Sequence, residues 1–323
     1  AALTVDSLIF TSTPTGVTAF TVAPGIGGAL SVYPGSSNNG IEVQANAGVI
    51  TISAPLTTLG VQAWTVDGTG LNGSSLTLSG GVTYTAPVTK AGAGTLTLSG
   101  AGTGAGGLNI ELGTVNIGSA SAFGTGPLFF GSGITLNNTS GVALANTGAN
   151  TLEWNAGFTF TGSNSYDLGA GAVALKDFAA LTVSANTLTV GGAIGDAAQG
   201  FVLTKLGAGN LVLNGVNSFG GVGRTVDVQG GLLTINSEGA QANVAVTGTA
   251  RGEFKSGDVV TLTVNSKTFT GTVASNGTFS INVPGSDLLA DADKTVDGSL
   301  AATDVAGNVG NVTDTQVYST DTT

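Results

Sequence analysis

Apolar and polar residues alternate in short runs along most of the chain. Leu76-Thr77-Leu78, Thr95-Leu96-Thr97-Leu98, Thr114-Val115-Asn116-Ile117, Thr187-Leu188-Thr189-Val190, Asn210-Leu211-Val212-Leu213 and Leu232-Leu233-Thr234-Ile235 set apolar side chains on one face against small polar ones on the other. Gly and Pro break nearly every helical window before it reaches about 10 residues, so the pattern predicts an almost wholly β chain. Toward both ends of this segment the runs begin about 19 to 23 residues apart, the period of a solenoid coil. Between Ile117 and Thr187 the spacing is less regular.

A longer phrase recurs. Residues 90–100 read KAGAGTLTLSG and residues 205–215 read KLGAGNLVLNG, an offset of 115 that leaves room for five or six coils. One coil cannot bury its own apolar face, so coils must stack and pair their backbones with one another. Each coil also turns about three corners, for which Gly, Asn and Ser supply positive φ or local hydrogen bonds. A β-sandwich array also alternates, but brings more aromatics and closer turns. The prediction for residues 1–238 is a right-handed β-solenoid with Leu, Val, Ile and Phe inside and Thr, Ser and Asn outside.

Composition narrows the chemistry. The 323 residues include 54 Gly and only 8% charged residues, with no His, Cys or Met. Imidazole bases, thiol nucleophiles, disulfides and thiolate or imidazole metal sites are therefore excluded. The formal charge is −11 with eight Lys and Arg, which argues against nucleic-acid and anionic-lipid partners. No run of about 18 apolar residues predicts a membrane-spanning helix, and the aromatic girdles of a membrane barrel are missing. Ala1-Ala2-Leu3 shows no signal-peptide pattern, and the chain reads as a mature or excised piece.

The pattern shifts near residue 239. Residues 1–238 hold ten acids and four bases, whereas residues 239–323, about a quarter of the length, hold nine and four. In this second domain Asp258 to Val264 and Lys267 to Val273 read as strands joined by the two-residue turn Asn265-Ser266. Another turn at Ser275-Asn276-Gly277 leads into Thr278 to Val283, then an acidic loop from Asp287 to Asp297 and strands near Gly298 to Thr303 and Asn311 to Ser319. Roughly seven short strands fit an immunoglobulin-like β-sandwich.

The phrases KAGAGTLTLSG and KLGAGNLVLNG resemble the passenger-associated β-strand repeats of bacterial autotransporters, over roughly residues 70–238. The run from Gly257 to Thr323, GDVVTLTVNSKTFTGTVASNGTFSINVPGSDLLADADKTVDGSLAATDVAGNVGNVTDTQVYSTDTT, resembles the bacterial immunoglobulin-like repeats of very large Gram-negative surface adhesins. The second resemblance implies structural Ca²⁺ at module ends. The matching positions are Asp304 and Asn308 of the TDVAGN turn, Asp258 of GDVV and Asp321 of the terminal linker.

Carboxylates are the chemically potent groups that remain. A polysaccharide-degrading solenoid would pair two of Asp6, Glu42, Asp67, Glu111, Glu153, Asp167, Asp177, Asp196 and Asp227 on adjacent coils; sparse acids also keep a β-rich surface soluble. Asp287, Asp291, Asp293, Asp297, Asp304, Asn308, Asp314 and Asp321 offer hard oxygen ligands suited to Ca²⁺, although no EF-hand spacing occurs and turn acids commonly bond their own backbone. Trp64, Trp154, Tyr33, Tyr84, Tyr166 and Tyr318 are candidates for a sugar platform, or for coil caps and core. The resulting expectation is a non-enzymatic bacterial adhesin or stalk piece, extracellular or at the cell surface, meeting a glycan or protein receptor on a host or neighbouring cell. A self-assembling filament or surface-layer subunit is the alternative, since Ala1 to Ile9 shows no polar cap over the first coil.

Overall fold

The computed structural model describes residues 2–11, 19–26, 28–68, 74–219, 226–235 and 243–318. The chain folds into two compact units, Ala1–Ser237 and Glu238–Thr323. The boundary expected at 238/239 lies within 236–242, outside the described residues.

The first unit is the β-solenoid that the alternation predicts. Each coil contributes short strands to parallel walls, and every strand pairs with the equivalent strand one coil away. The first wall begins as five strands, from Leu3–Val5 to Gly102–Thr103; the second has nine, from Leu8–Phe10 to Ile194–Gly195; the third has ten, from Ala19–Val22 to Asp227–Val228. Inward positions stack in columns such as Leu30, Leu56 and Val82 on the first wall or Leu76, Leu96 and Val115 on the third, all buried. Each such side chain contributes roughly 1.5–3 kcal/mol of burial that no single coil could supply.

The irregular stretch after Ile117 has a structural cause. The first wall stops at Gly102–Thr103 and resumes as a separate five-stranded sheet from Leu144–Ala145 to Leu232–Ile235. In the intervening coil, residues 119–125 form turns instead of a strand. Stacking continues through them, because Gly102 N donates to Ser121 O (3.1 Å), Thr125 N to Gly104 O (2.8 Å) and Thr147 N to Ala120 O (3.0 Å). Two buried asparagines hold the restart: Asn150 Nδ2 donates to Gly124 O at 3.2 Å, and Asn146 Nδ2 to Asn150 Oδ1 at 2.8 Å and Leu168 O at 3.1 Å.

The repeated phrase turns corners at two different places. Lys90 lies on the second wall and its L-x-L run on the third; Lys205 lies on the third and its run on the resumed first wall. The offset of 115 residues is therefore five coils plus one wall. Both corners are built alike. Gly92 (φ +75°) and Gly207 (φ +78°) are left-handed, and a Cβ on either would strike a carbonyl of the preceding coil, Val66 O or Val183 O. Both lysines are fully buried. Lys90 Nζ donates to Ala91 O (3.0 Å), Gly92 O (2.7 Å) and Leu112 O of the next coil (3.0 Å). Lys205 Nζ donates likewise to Leu206 O (2.8 Å), Gly207 O (2.9 Å) and Gly230 O (3.0 Å). Three N–H donors meet three carbonyls, so each ammonium is saturated and clips its corner to the coil that follows.

The second unit is antiparallel. Its larger sheet runs Lys267–Thr272, Val259–Val264, Thr295–Thr303, Val309–Val317, and the smaller pairs Asn243–Thr249 with Thr278–Pro284. Val260, Leu262, Val264, Val273, Ile281, Val283 and Leu288 form its core. The acidic loop differs from expectation: its start is a short helix, Gly285–Ala290, entered through Pro284, whose φ of −57° already suits a helical first turn, and carrying Asp287 in that turn.

Lys90→Met is expected to lower the stability of the solenoid by about 3 kcal/mol at neutral pH, because three carbonyls lose their donor. Burial pushes the Lys90 ammonium down to about 8. Between that pH and the ordinary lysine value the unfolded chain binds more protons, so stability should rise with pH across this interval. Urea unfolding followed by tryptophan fluorescence should show this rise in the native chain and a smaller one in Lys90→Met.

Candidate functional site

The outward positions of the third wall form two ranks. One runs Ala19, Val49, Ser75, Thr95, Thr114, Thr135, Thr159, Thr182, Leu206, polar from Ser75 to Thr182; the other runs Thr21, Thr51, Thr77, Thr97, Asn116, Asn137, and beside them on the last strands stand Ala180, Thr204 and Asp227. In-register parallel pairing sets members of a rank about 4.8 Å apart, and the two ranks are about 6.6 Å apart along each strand. Asn116 Nδ2 reaches across coils to Thr97 Oγ1 at 3.3 Å. No charged residue occupies either rank. The face is thus a regular field of hydroxyl, methyl and amide groups, able to hydrogen-bond an uncharged partner directly or through water.

Charge goes to the other walls, to the corners and to the last described strand of this wall. Glu42 and Glu153 stand on second-wall strands and Glu111 directly after one, Asp167 on the resumed first wall, and Asp227 in the last described strand of the third. Glu42 accepts from Asn39 Nδ2 (3.1 Å) and Gln44 Nε2 (2.9 Å), and Glu153 pairs with Lys176 at 3.3 Å. Strand neighbours of these acids are not acids: Glu42 lies between Ile9 and Thr65, Glu153 between Phe129 and Ala174, Asp167 between Ala145 and Thr189. Asp6, Asp67, Asp177 and Asp196 sit outside strands, at turns.

The aromatic platform is not formed. Trp64, Trp154, Tyr84 and Tyr166 are buried inside the solenoid. Trp64 Nε1 donates to Gln62 Oε1 at 3.1 Å, Tyr84 OH to Ala122 O at 3.1 Å, and Trp154 packs edge-on against Phe158. Their rings lie at inward positions of the alternation, where they fill volume that Leu or Val would leave empty.

In the second unit the candidate ligands are engaged as turn and loop acceptors. Asp258 Oδ2 receives Lys255 N (2.7 Å) and Thr303 N (2.8 Å), which ties one end of the larger sheet. Asp304 Oδ1 receives Asn308 N (2.8 Å) and its Oδ2 receives Asn308 Nδ2 (2.9 Å), closing the turn between the last two strands. Asp321 lies outside the described residues. Asp287 takes Lys267 Nζ at 2.7 Å and Asn265 Nδ2 at 3.2 Å; Asp291 takes Asn265 N (3.0 Å), Thr295 N (3.2 Å) and Tyr318 OH (2.9 Å). Among the described residues no three acidic side chains converge.

These contacts hold the carboxyls of four aspartates below their ordinary range. The leading causes are the Lys255 backbone N–H at Asp258, the Lys267 ammonium at Asp287, the Thr295 hydroxyl at Asp293 and the Asn308 amide at Asp304. Burial, with Asp291 beside it, pushes the Tyr318 hydroxyl up to about 12. Sequence reading missed Lys90 and Lys205 as interior groups. Their signal was phase: each stands where the two-residue alternation calls for an inward side chain.

No protein-family model and no curated protein matches the chain. Among solved structures it is similar, at 42% identity over 24% of its length, to a bacterial immunoglobulin-like domain from the M. primoryensis ice-binding adhesin; the match spans 76% of that domain chain with a TM-score of 0.23. The same identity, share of this chain and TM-score describe two further structures. One is a Ca²⁺-stabilized adhesin that helps an Antarctic bacterium reach out and bind ice, matched over 19% of its chain. The other comes from work on host cell surface retention of a 1.5-MDa bacterial ice-binding adhesin, matched over 25%. The fold defines an all-β protein in which a β-solenoid is followed by an antiparallel unit. Its solved neighbours are adhesin modules, and the chain spans about a quarter or less of the last two.

A folded-state carboxyl held low lends stability above the ordinary aspartate range, and that stability is lost as pH falls through the lowered value. Asp258→Asn should therefore destabilise the second unit at neutral pH and reduce its further loss on acidification. Amide exchange of Val259 to Val264, measured in EDTA so that the loop contacts are read apart from any cation, checks both.

Proposed function

We propose that the chain is part of a bacterial surface adhesin, working outside the cell, in which the solenoid displays its third wall to an uncharged glycan on a host or neighbouring cell. The observation that carries this reading is the pair of ranks free of charge, in a unit whose acids, apart from Asp227 in the last described strand of that wall, stand on other walls and corners. A rigid row of hydroxyl and amide groups recognises an uncharged, hydroxyl-rich chain by hydrogen bonds and ordered water, and repeats the contact coil after coil. The likeness of the second unit to adhesin modules supports the placement at a cell surface. Among the described residues no helix is long and apolar enough to cross a membrane.

No catalytic step is part of this proposal. The second unit serves as a linking module.

Binding of the labelled chain to a printed glycan array tests the proposal. Uncharged glycans should be retained by the native chain and lost at least tenfold by Thr97→Lys/Thr135→Lys, with the fold unchanged by circular dichroism. Absence of any retained glycan, or equal retention by the variant, would count against it.

A further inference from the structure

The larger sheet of the second unit ends in a long bare strand. Val309–Val317 pairs on one side, residue for residue, with Thr295–Thr303 and has no partner strand on the other among the described residues. All nine of its residues are exposed, including Val309 at 66%, Val312 at 59% and Val317 at 80%. The facing sheet has only two described strands and leaves Val312 uncovered. Natural edges are blunted by Lys, Pro, bulges or shortness. This one has no Lys or Pro, its nine pairs run without a register shift, and its one charge is Asp314. Such an edge is a template for strand addition.

The occupant is indicated by the sequence of the strand itself. When two copies run antiparallel about a twofold axis through Thr313, Val309 meets Val317 of the second copy, Asn311 meets Thr315, Val312 meets Asp314 and Thr313 meets Thr313. Val–Val contacts close both ends. No like charges stand directly opposite, and all nine residues are used. Because the axis is perpendicular to the sheet, both inner faces remain on one side, so the two four-stranded sheets join into one of eight strands.

We propose that the Val309–Val317 edge joins two copies of this chain in an antiparallel, twofold dimer centred on Thr313. A single strand edge buries less than a standard interface, so the dimer is weak in dilute solution and gains from many copies held on one surface. It does not depend on what the third wall of the solenoid binds.

The chain has no cysteine, which makes cross-linking a clean test. Under mild oxidation Thr313→Cys should give disulfide-linked dimer, since the two thiols face each other. Thr315→Cys should give at least tenfold less, because each thiol then faces Asn311 of the other copy, four residues from its mate. Equal cross-linking of the two variants, or none by Thr313→Cys, overturns the register. Sedimentation equilibrium of the native chain should show a reversible dimer that Val309→Lys/Val317→Lys abolishes by setting like charges opposite. A chain that stays monomeric at every concentration, or an assembly that grows beyond the dimer, overturns the proposal.

Discussion

A coil of about 20 residues cannot satisfy its own backbone or bury its own side chains, and everything in the first unit follows from that. Strands of two to five residues are too short to hold alone; they persist because the same wall continues one coil above and one below. The demand is strictest at corners, where successive backbones come within contact of each other. Glycine answers it at positions 92 and 207, where any side chain would meet the carbonyl of Val66 or Val183. Lysine answers it too, in a less expected way: Lys90 and Lys205 are charges placed in the interior because each can bind two carbonyls of its own corner and one of the next. A buried ammonium is costly when unpaired and tolerable when all three donors are used.

The same constraint shapes the surface. Stacking in register repeats an outward position at a fixed distance, so a preference at one position becomes a row along the wall. On the third wall the two long rows are mostly threonine and asparagine without charge; on the second wall Glu42 and Glu153 interrupt the row, with Glu111 and Lys176 just past its strands. A regular uncharged face and an irregular charged one thus sit on the same rod-like stack of coils, and only the first has the translational order that a repeating partner requires. The second unit obeys a different rule. Its acids are spent on its own turns, and the antiparallel sheet they brace ends in an edge with none of the usual protections except Asp314.

Much of this was legible before any coordinates. Two-residue alternation placed the inward columns, because Leu76, Leu96 and Val115 differ from their polar neighbours by phase alone. The turn Asn265-Ser266 was readable because both residues tolerate the positive φ that they adopt, 51° and 58°. What the sequence could not show was which wall a phrase occupies. KAGAG and KLGAG are the same local instruction executed one wall apart, and nothing local marks that exchange. The acidic residues were ambiguous for a related reason. Aspartates suited to a cation are equally suited to accept backbone N–H groups, and the fold shows that Asn308, Lys255 and Thr303 donate to them. The aromatics read as a candidate platform while an exposed and an inward ring look alike in one dimension.

Native-state hydrogen exchange tests the dependence of each coil on its neighbours most directly. If stacking sets stability, protection should be greatest in the central coils, Val88 to Val190, where strands of the second and third walls have a partner on both sides, and should fall coil by coil toward Leu3–Val5 and Leu232–Ile235. Equal protection from the first coil to the last, or the slowest exchange at either end, would contradict it.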